Sequence, residues 1–129
     1  MTARRRVPMP VGFRGSWFAE VDLRDEDEGR QYLPCVHKHW LKGVSYDDPW
    51  VQPGVAPWPT FLFEIKSGGR VILTDDDLLT PDGGKKGGPV FNRRGYIAGY
   101  AVDDVRVEPD AEGRHHLRFR LVRRLMDFG

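Results

Sequence analysis

The chain has 129 residues, with 20 basic and 19 acidic side chains and a formal net charge of +1. This length suits one domain with its own core, and the balanced charge excludes a polycation that binds nucleic acid through its overall field. With 15 glycines and 10 prolines the chain needs many turns, which favours a β-rich fold over a helical bundle.

A single cysteine, Cys35, excludes an intrachain disulfide and indicates a reducing compartment, so a cytoplasmic location is expected. The basic N-terminus is interrupted by Pro8, Pro10 and Gly12, which argues against a secretory signal. Because no apolar run approaches the length of a membrane span, no membrane association is expected.

Two parts are predicted along the chain. Residues 1–14 combine a run of three arginines with two prolines and offer little apolar surface to bury, which predicts a flexible N-terminal arm. Residues 15–129 form a single β-rich domain. In that domain residues 15–23 alternate apolar and polar side chains as a strand does, residues 25–30 are a charged, hairpin-like connection, and residues 31–40 are a second strand.

The middle of the chain is predicted to hold a long loop followed by a hairpin. Residues 43–59 are rich in proline and glycine, which predicts irregular structure, and they also carry large aromatic side chains. Strands over residues 60–66 and 70–74, joined by Ser67-Gly68-Gly69, are the clearest hairpin signal in the sequence. Thr74 and the three aspartates after it predict a short helical turn.

The last third is predicted to be strands joined by two turns. Residues 82–89 contain four glycines and are expected to be the most mobile internal segment. One long strand, or two strands broken at Asp103-Asp104, covers residues 96–107, and residues 109–113 form a turn. A final alternating strand begins at His116 and places Arg118 and Arg120 on one face. This stripe suits a phosphate backbone, and the alternative is a solvated face on which neighbouring acids pair with the arginines.

About six or seven strands with at most one or two short helices predict an all-β or β-dominated α+β domain, built as a small, partly open β-barrel. The order of an apolar segment at residues 61–65, a glycine turn, a Val-Ile-Leu strand, residues 96–102 and a final strand from Leu117 resembles the ending of PUA-like domains. That resemblance implies a pseudobarrel that binds RNA or modified bases, in some members through aromatic pockets. The first half departs from the pattern, because no early helix is evident.

One candidate site is the sequence Cys35-x-His37-x-His39. Residues two apart share one face of a strand, and thiolate and imidazole are good ligands for zinc or iron. The spacing looks like the His-x-His of cupin-type metal sites, but residues 40–43 supply no acidic third ligand. The alternative is an edge strand with two solvent-facing histidines and a small buried thiol.

A second candidate site combines aromatic and basic side chains. Indole and phenol rings can stack on a planar base, and lysines and arginines can contact phosphates. The predicted ligand-binding residues are Trp40, Tyr46, Trp50, Trp58, Lys85, Lys86, Arg93 and Arg94. The alternative for each of these rings is a role as core filler beneath the loop.

No Gly-x-Ser-x-Gly, His-Glu-x-x-His or Gly-x-Gly-x-x-Gly motif is present, so no catalytic residues are assigned and an enzyme is not expected. The leading hypothesis is a non-catalytic module that binds a nucleic acid or a nucleotide-like anionic ligand, without a cofactor. One alternative is a small metal-binding protein or metalloenzyme that holds zinc or iron at Cys35, His37 and His39. Another is a protein–protein interaction module with its aromatic loop as the contact surface.

Overall fold

A computed structural model describes residues 5–7, 12–14, 17–22, 29–80 and 90–128. Strands dominate this part of the chain, which also contains one α-helix and one short 3-10 turn. The predicted β-dominated class is therefore confirmed. The strands are β1 (Arg5–Val7), β2 (Gly12–Arg14), β3 (Phe18–Asp22), β4 (Arg30–His37), β5 (Leu41–Lys42), β6 (Ser45–Val51), β7 (Arg70–Thr80), β8 (Val90–Pro109) and β9 (His115–Phe128). The helix α1 is Trp58–Gly68, and the 3-10 turn is Lys38–Trp40.

All nine strands belong to one mixed sheet in the order β2-β3-β4-β7-β8-β9-β6-β5. Strand β1 adds to β9 in parallel, beyond the segment of β9 that pairs with β6. Strands β4 and β7 are also parallel, with Cys35 opposite Ile72, and the other pairs are antiparallel. The long hairpin β7–β8 lies at the centre and positions most of the residues discussed below.

The sheet curls strongly. Strands β4 and β5 lie five positions apart in the strand order, which in a flat sheet would separate them by roughly 24 Å. Only the 3-10 turn joins them in the chain, and four Cα steps span at most about 15 Å. The curl brings β6 close to the end of β4, where the backbone N–H of His37 donates to the Tyr46 hydroxyl over 3.3 Å. No strand pairing between β4 and β5 or β6 closes the sheet in the described residues.

Both faces of the central strands are buried. One cluster gathers side chains from several strands and from α1, including Val36, Tyr46, Phe61, Ile65 and Leu117. A second cluster on the opposite face of β4 and β7 includes Cys35 and Ile72. Successive side chains of β4 therefore enter different cores, as the period of a strand requires.

The predicted hairpin over residues 60–74 is wrong, because its first half is α1. Phe61 and Ile65 lie one helical turn apart and are both buried, whereas Phe63 is 67% exposed. Pro59 lies in the first turn, where its missing N–H costs nothing. Gly69 ends the helix at a positive φ of 65°, and its N–H donates to the carbonyl of Ile65 over 2.9 Å.

Two further predictions for the middle of the chain are wrong. Residues 45–51 form β6 rather than a loop, because the alternate residues Tyr46 and Asp48 are buried beside β9. The helical turn predicted after Thr74 is absent, because β7 continues to Thr80 and stays paired with β8 through several register shifts. The predicted strand over residues 31–40 ends at His37, and the 3-10 turn follows.

Predictions for the last third of the chain agree with the structure more closely than those for the middle. Strand β8 is continuous through residues 90–109, and its register shifts near Asp104, which has a positive φ of 56°. The turn before β9 is confirmed, with the Asp110 carboxylate accepting backbone N–H bonds from Glu112 and Arg114. The expected pairing of arginines with acids is also confirmed, since Arg120 bonds Asp103 over 3.0 Å.

The predicted N-terminal arm contributes two short strands to the sheet. Arg5–Val7 pairs with the end of β9, and Gly12–Arg14 pairs with β3. These pairings use backbone hydrogen bonds, so they do not depend on apolar side chains. The predicted mobile segment, residues 82–89, lies outside the described residues.

Candidate functional site

A group of linked polar side chains lies where β4 ends, beside β7 and the start of β8. His37 is the last residue of β4 and is opposite Thr74 of β7. Asp76, two residues further along β7, is opposite Arg93 of β8. Because alternate residues share a face, the side chains of Thr74 and Asp76 point the same way, toward the histidine.

Asp76 is the centre of this group, with a side chain only 1% exposed. It forms a hydrogen bond with His37 Nδ1, and the Thr74 hydroxyl lies 2.7 Å from the same carboxylate oxygen. Arg93 Nε donates to the other oxygen over 3.2 Å. Burial opposes ionisation of this carboxyl, but the hydrogen bonds from His37 and Thr74 and the charges of His37 and Arg93 outweigh it and lower the pKa of Asp76.

The ionised carboxylate fixes the tautomer and the orientation of His37. A carboxylate only accepts hydrogen bonds, so the proton of the neutral imidazole lies on Nδ1 and its Nε2 is left as a basic lone pair. The ring of His37 stacks on Phe91, with centroids 4.0 Å apart and planes 14° from parallel. The ring is therefore held from one edge by Asp76 and over one face by Phe91.

A second buried carboxyl, Asp48 on β6, lies near the same histidine. Its Oδ1 accepts the backbone N–H of Trp50 over 2.9 Å. Burial raises the pKa of Asp48 to about 6, although the Trp50 N–H and the nearby charges of His37 and His116 oppose that rise. Two carboxyls with opposite pKa shifts therefore lie near one imidazole, an arrangement typical of acid–base sites.

Three rings border this group, and we name His39, Trp40 and Phe91 the aromatic rim. His39 and Trp40 meet edge to face at 4.8 Å, and Phe91 lies 6.0 Å from each of them. His39 is exposed, and the other two rings are half-buried. The rim therefore presents aromatic surface to solvent next to the polar group.

Two exposed ion pairs involve residues that adjoin the site in the chain. Lys38 Nζ lies 2.6 Å from an oxygen of Asp75, and Arg94 lies 3.5 Å from Asp77. Each of these side chains is at least one third exposed. Lys38 precedes His39 and Arg94 follows Arg93, so two exposed basic residues adjoin the site, each beside an acidic partner.

The structure brings some of the predicted ligand-binding residues together and separates others. Trp40 and Arg93 lie at the site, Tyr46 is buried beneath it, and Arg94 follows Arg93 on β8 and pairs with Asp77. Trp58 lies on α1, packed edge to face against Trp17 at 4.7 Å. Trp50 is half-buried on β6. The two predicted lysines, Lys85 and Lys86, lie outside the described residues.

The structure does not arrange the predicted metal ligands as one set. Cys35 is buried in the second core cluster, and burial raises the pKa of its thiol to about 11. His37 bonds Asp76, and His39 lies on the exposed 3-10 turn rather than on β4. Across residues 17–22, 29–79 and 90–128 no three His, Cys, Asp or Glu side chains are arranged to hold a metal ion. Zinc or iron at these residues stays a prediction, which metal analysis of the purified protein would test.

A second histidine, His116, is buried and has both ring nitrogens bonded. His116 Nδ1 lies 2.6 Å from Asp47, and its Nε2 lies 2.8 Å from Asp110. Burial opposes protonation of this ring, but the hydrogen bonds to Asp110 and Asp47 raise the pKa of His116 above its ordinary value. His116 therefore connects β6 to the turn before β9, whereas His37, among the residues that the structure describes, keeps one ring nitrogen without a hydrogen bond.

Sequence reasoning missed Asp76, Thr74, Asp48 and Phe91. The aspartates after Thr74 resemble a helix cap, and only continuing the period of the Val-Ile-Leu strand would have placed Thr74 and Asp76 on one face. Asp48 stands next to Asp47, and adjacent acids of this kind are typical of turns or caps.

No protein-family model matches this chain, and no curated protein or solved structure matches it. In the described ranges the model contains no helix with the length and apolar character needed to cross a membrane.

Proposed function

We propose that this domain binds a nucleic acid or a nucleotide-like anion at the aromatic rim. A base would stack on Trp40 or Phe91, and Lys38 and Arg94 would contact phosphates. The observation that carries the proposal is the grouping of three rings at one exposed edge, with basic side chains on the neighbouring positions of the chain.

Stacking would supply the base-binding part of the interaction. Each base has a π face, so an exposed ring accepts any base, at about 1–3 kcal/mol for each stacked base. Phe91 is held in place by its stack on His37, and Trp40 rests against the main core cluster. Rings that are already ordered lose little conformational freedom when a ligand binds.

When a nucleic acid binds, Lys38 and Arg94 would exchange their carboxylate partners for phosphates. Exposed pairs such as Lys38–Asp75 and Arg94–Asp77 contribute roughly 0–1 kcal/mol to stability. A phosphate can therefore replace the carboxylate at small cost. Arg93 differs, because its partner Asp76 is buried and also bonds His37, so we assign Arg93 to orienting the site.

We also propose a more specific fold and a cellular location for the domain. The curl of the sheet supports a partly open barrel, to which we assign a PUA-like arrangement. The single free cysteine, Cys35, is buried and supports a reducing, cytoplasmic location.

The direct test is fluorescence anisotropy with labelled single-stranded RNA and DNA oligonucleotides across a salt series. Trp40→Ala and Phe91→Ala should each weaken binding by about 1–3 kcal/mol, because each removes a stacking surface. The matched control is Phe63→Ala, which removes an exposed ring on α1 and should leave affinity unchanged. Melting curves of each variant separate lost binding from lost folding.

The same titrations test the phosphate contacts. In the double variant Lys38→Ala/Arg94→Ala, the slope of log affinity against log salt should fall by roughly 1 to 2, since each lost phosphate contact releases about one counterion fewer. Lys66→Ala, on α1, is the charge control. Binding that is absent at low salt, or that resists every rim variant, would contradict the proposal.

A further inference from the structure

We infer that the ligand is RNA and that the site cleaves it, with His37 Nε2 removing the proton of a ribose 2′-hydroxyl beside the scissile phosphate. This inference rests on the proposed function, because it needs RNA to lie on the aromatic rim. It goes beyond binding by assigning a reaction to the histidine.

The geometry of His37 is that of an oriented general base. Its Nδ1 bonds Asp76, and in the described residues no protein atom bonds its Nε2. Asp76 is itself held by the Thr74 hydroxyl and by Arg93. A histidine oriented by a buried carboxylate takes a proton through its other nitrogen, with the carboxylate stabilising the imidazolium that forms.

Within the described residues the base has no protein nucleophile to activate. The Cys35 side chain is buried in the second core cluster, where burial raises the pKa of its thiol to about 11, and the Thr74 hydroxyl is already beside Asp76. The nucleophile must therefore come from the ligand or from water. RNA carries a hydroxyl next to each phosphate, so it needs only a base, an acid and neighbouring cations to react with itself.

The step balances without a further reactant. The 2′-oxygen gives its proton to His37 Nε2 and forms a bond to phosphorus, and the bond from phosphorus to the 5′-oxygen breaks. Protonated His39, which contacts the same Phe91 ring as His37 does, gives a proton to the leaving 5′-oxygen. Water then returns both histidines to their starting states. The products are a 2′,3′-cyclic phosphate and a 5′-hydroxyl end.

The experiment incubates the full chain with end-labelled single-stranded RNA in buffer containing a chelator, and identifies the product ends. Cleavage should leave cyclic phosphates, and an oligonucleotide with one 2′-deoxy sugar should resist cleavage at that position. His37→Asn should reduce kcat by on the order of 100-fold or more, the usual contribution of a general base, whereas RNA affinity, which also depends on Trp40, should change far less. His115→Asn changes an exposed histidine and serves as the matched control.

Asp76 is a positioning residue in this scheme, and its variant tests the orientation of the base. Asp76→Asn should lower kcat while leaving KM and RNA affinity near their original values, which loss of fold would not do. Should this variant fail to fold, His37→Asn still decides the question.

Each outcome separates the two proposals. RNA that binds but is not cleaved overturns the inference and leaves the proposed function standing. RNA that neither binds nor reacts overturns the inference, and it overturns the proposed function as well if DNA and nucleotides also fail to bind. Equal cleavage of DNA, or full cleavage by the His37→Asn variant, also overturns the inference, because neither is compatible with a 2′-hydroxyl activated by His37.

Discussion

Asp48 and Asp76 are both buried carboxyls, yet their environments move their pKa values in opposite directions. Asp76 has a histidine, a hydroxyl and a guanidinium beside it. Asp48 bonds one backbone N–H, and burial raises its pKa to about 6. The free energy lost by burying a charge without close partners is larger than the free energy gained from one hydrogen bond. At neutral pH, therefore, Asp48 should destabilise the fold, whereas Asp76 should not.

Asp48→Asn should raise the free energy of unfolding at pH 8 by about 2 kcal/mol, because it removes the buried charge and keeps an oxygen for the Trp50 N–H. The sign follows from proton binding. Between the ordinary value of 3.8 and about 6, the folded state holds a proton that the unfolded state has lost. The contribution of Asp48 therefore falls as pH rises through that window and stays low above it.

Denaturant titrations from pH 4 to pH 8 on the original chain and on Asp48→Asn measure this difference. The difference in free energy of unfolding between the two proteins should increase across pH 4–6 and stay constant above pH 6. Glu64→Gln, an exposed change on α1, should follow the original chain throughout. A gap that is constant over the whole range would show that the pKa of Asp48 is not raised.

At the scale of single elements, α1 offers a matched pair of glycines. Gly69 has a positive φ of 65°, so Gly69→Ala should cost about 1–2 kcal/mol of stability through backbone strain. Gly68 is helical, and an added Cβ there would meet open space, so Gly68→Ala should be neutral or stabilise by up to about 1 kcal/mol. Thermal unfolding of both variants tests this, and equal effects would contradict the assigned end of the helix.

The same helix shows why part of the fold could not be predicted from sequence. Prolines at its start and a glycine after its end are ordinary helix boundary signals. However, Phe61, Phe63 and Ile65 also alternate as a strand does, and a seven-residue window fits both periods. Burial of Phe61 and Ile65 against the sheet decides between them, and that contact depends on tertiary structure. The strongly alternating strand β9, with Leu117, Phe119 and Leu121 buried, had no such competing pattern.

At the scale of the whole molecule, the candidate site depends on the curl and on the parallel pairing of β4 with β7. His37 and Asp76 are 39 residues apart in the chain, and no local pattern gives the register between two distant parallel strands. The sequence identified His37, Trp40 and Arg93 as residues of interest, because their chemistry is visible without contacts. It could not identify Asp76 or Phe91, whose importance comes from what they touch.

Tyr46→Phe tests the contact across the curl. It removes the acceptor of the His37 N–H and should destabilise the fold by about 1–3 kcal/mol, since that buried donor would be left unpaired. Native-state hydrogen exchange should show faster exchange of the His37 amide, while amides in the centre of β8 and β9 change only with global stability. Unchanged exchange at His37 would show that the bond contributes little.

The parallel pairing of β1 with β9 has a consequence for the order in which the protein is built. Arg5 is opposite Met126, so β1 leaves the ribosome roughly 120 residues before its partner exists. The β7–β8 hairpin, which carries Asp76, Phe91 and Arg93, has both of its strands synthesised well before that point. During translation β1 therefore cannot pair until β9 has been synthesised, and it joins a sheet whose central strands have had time to form.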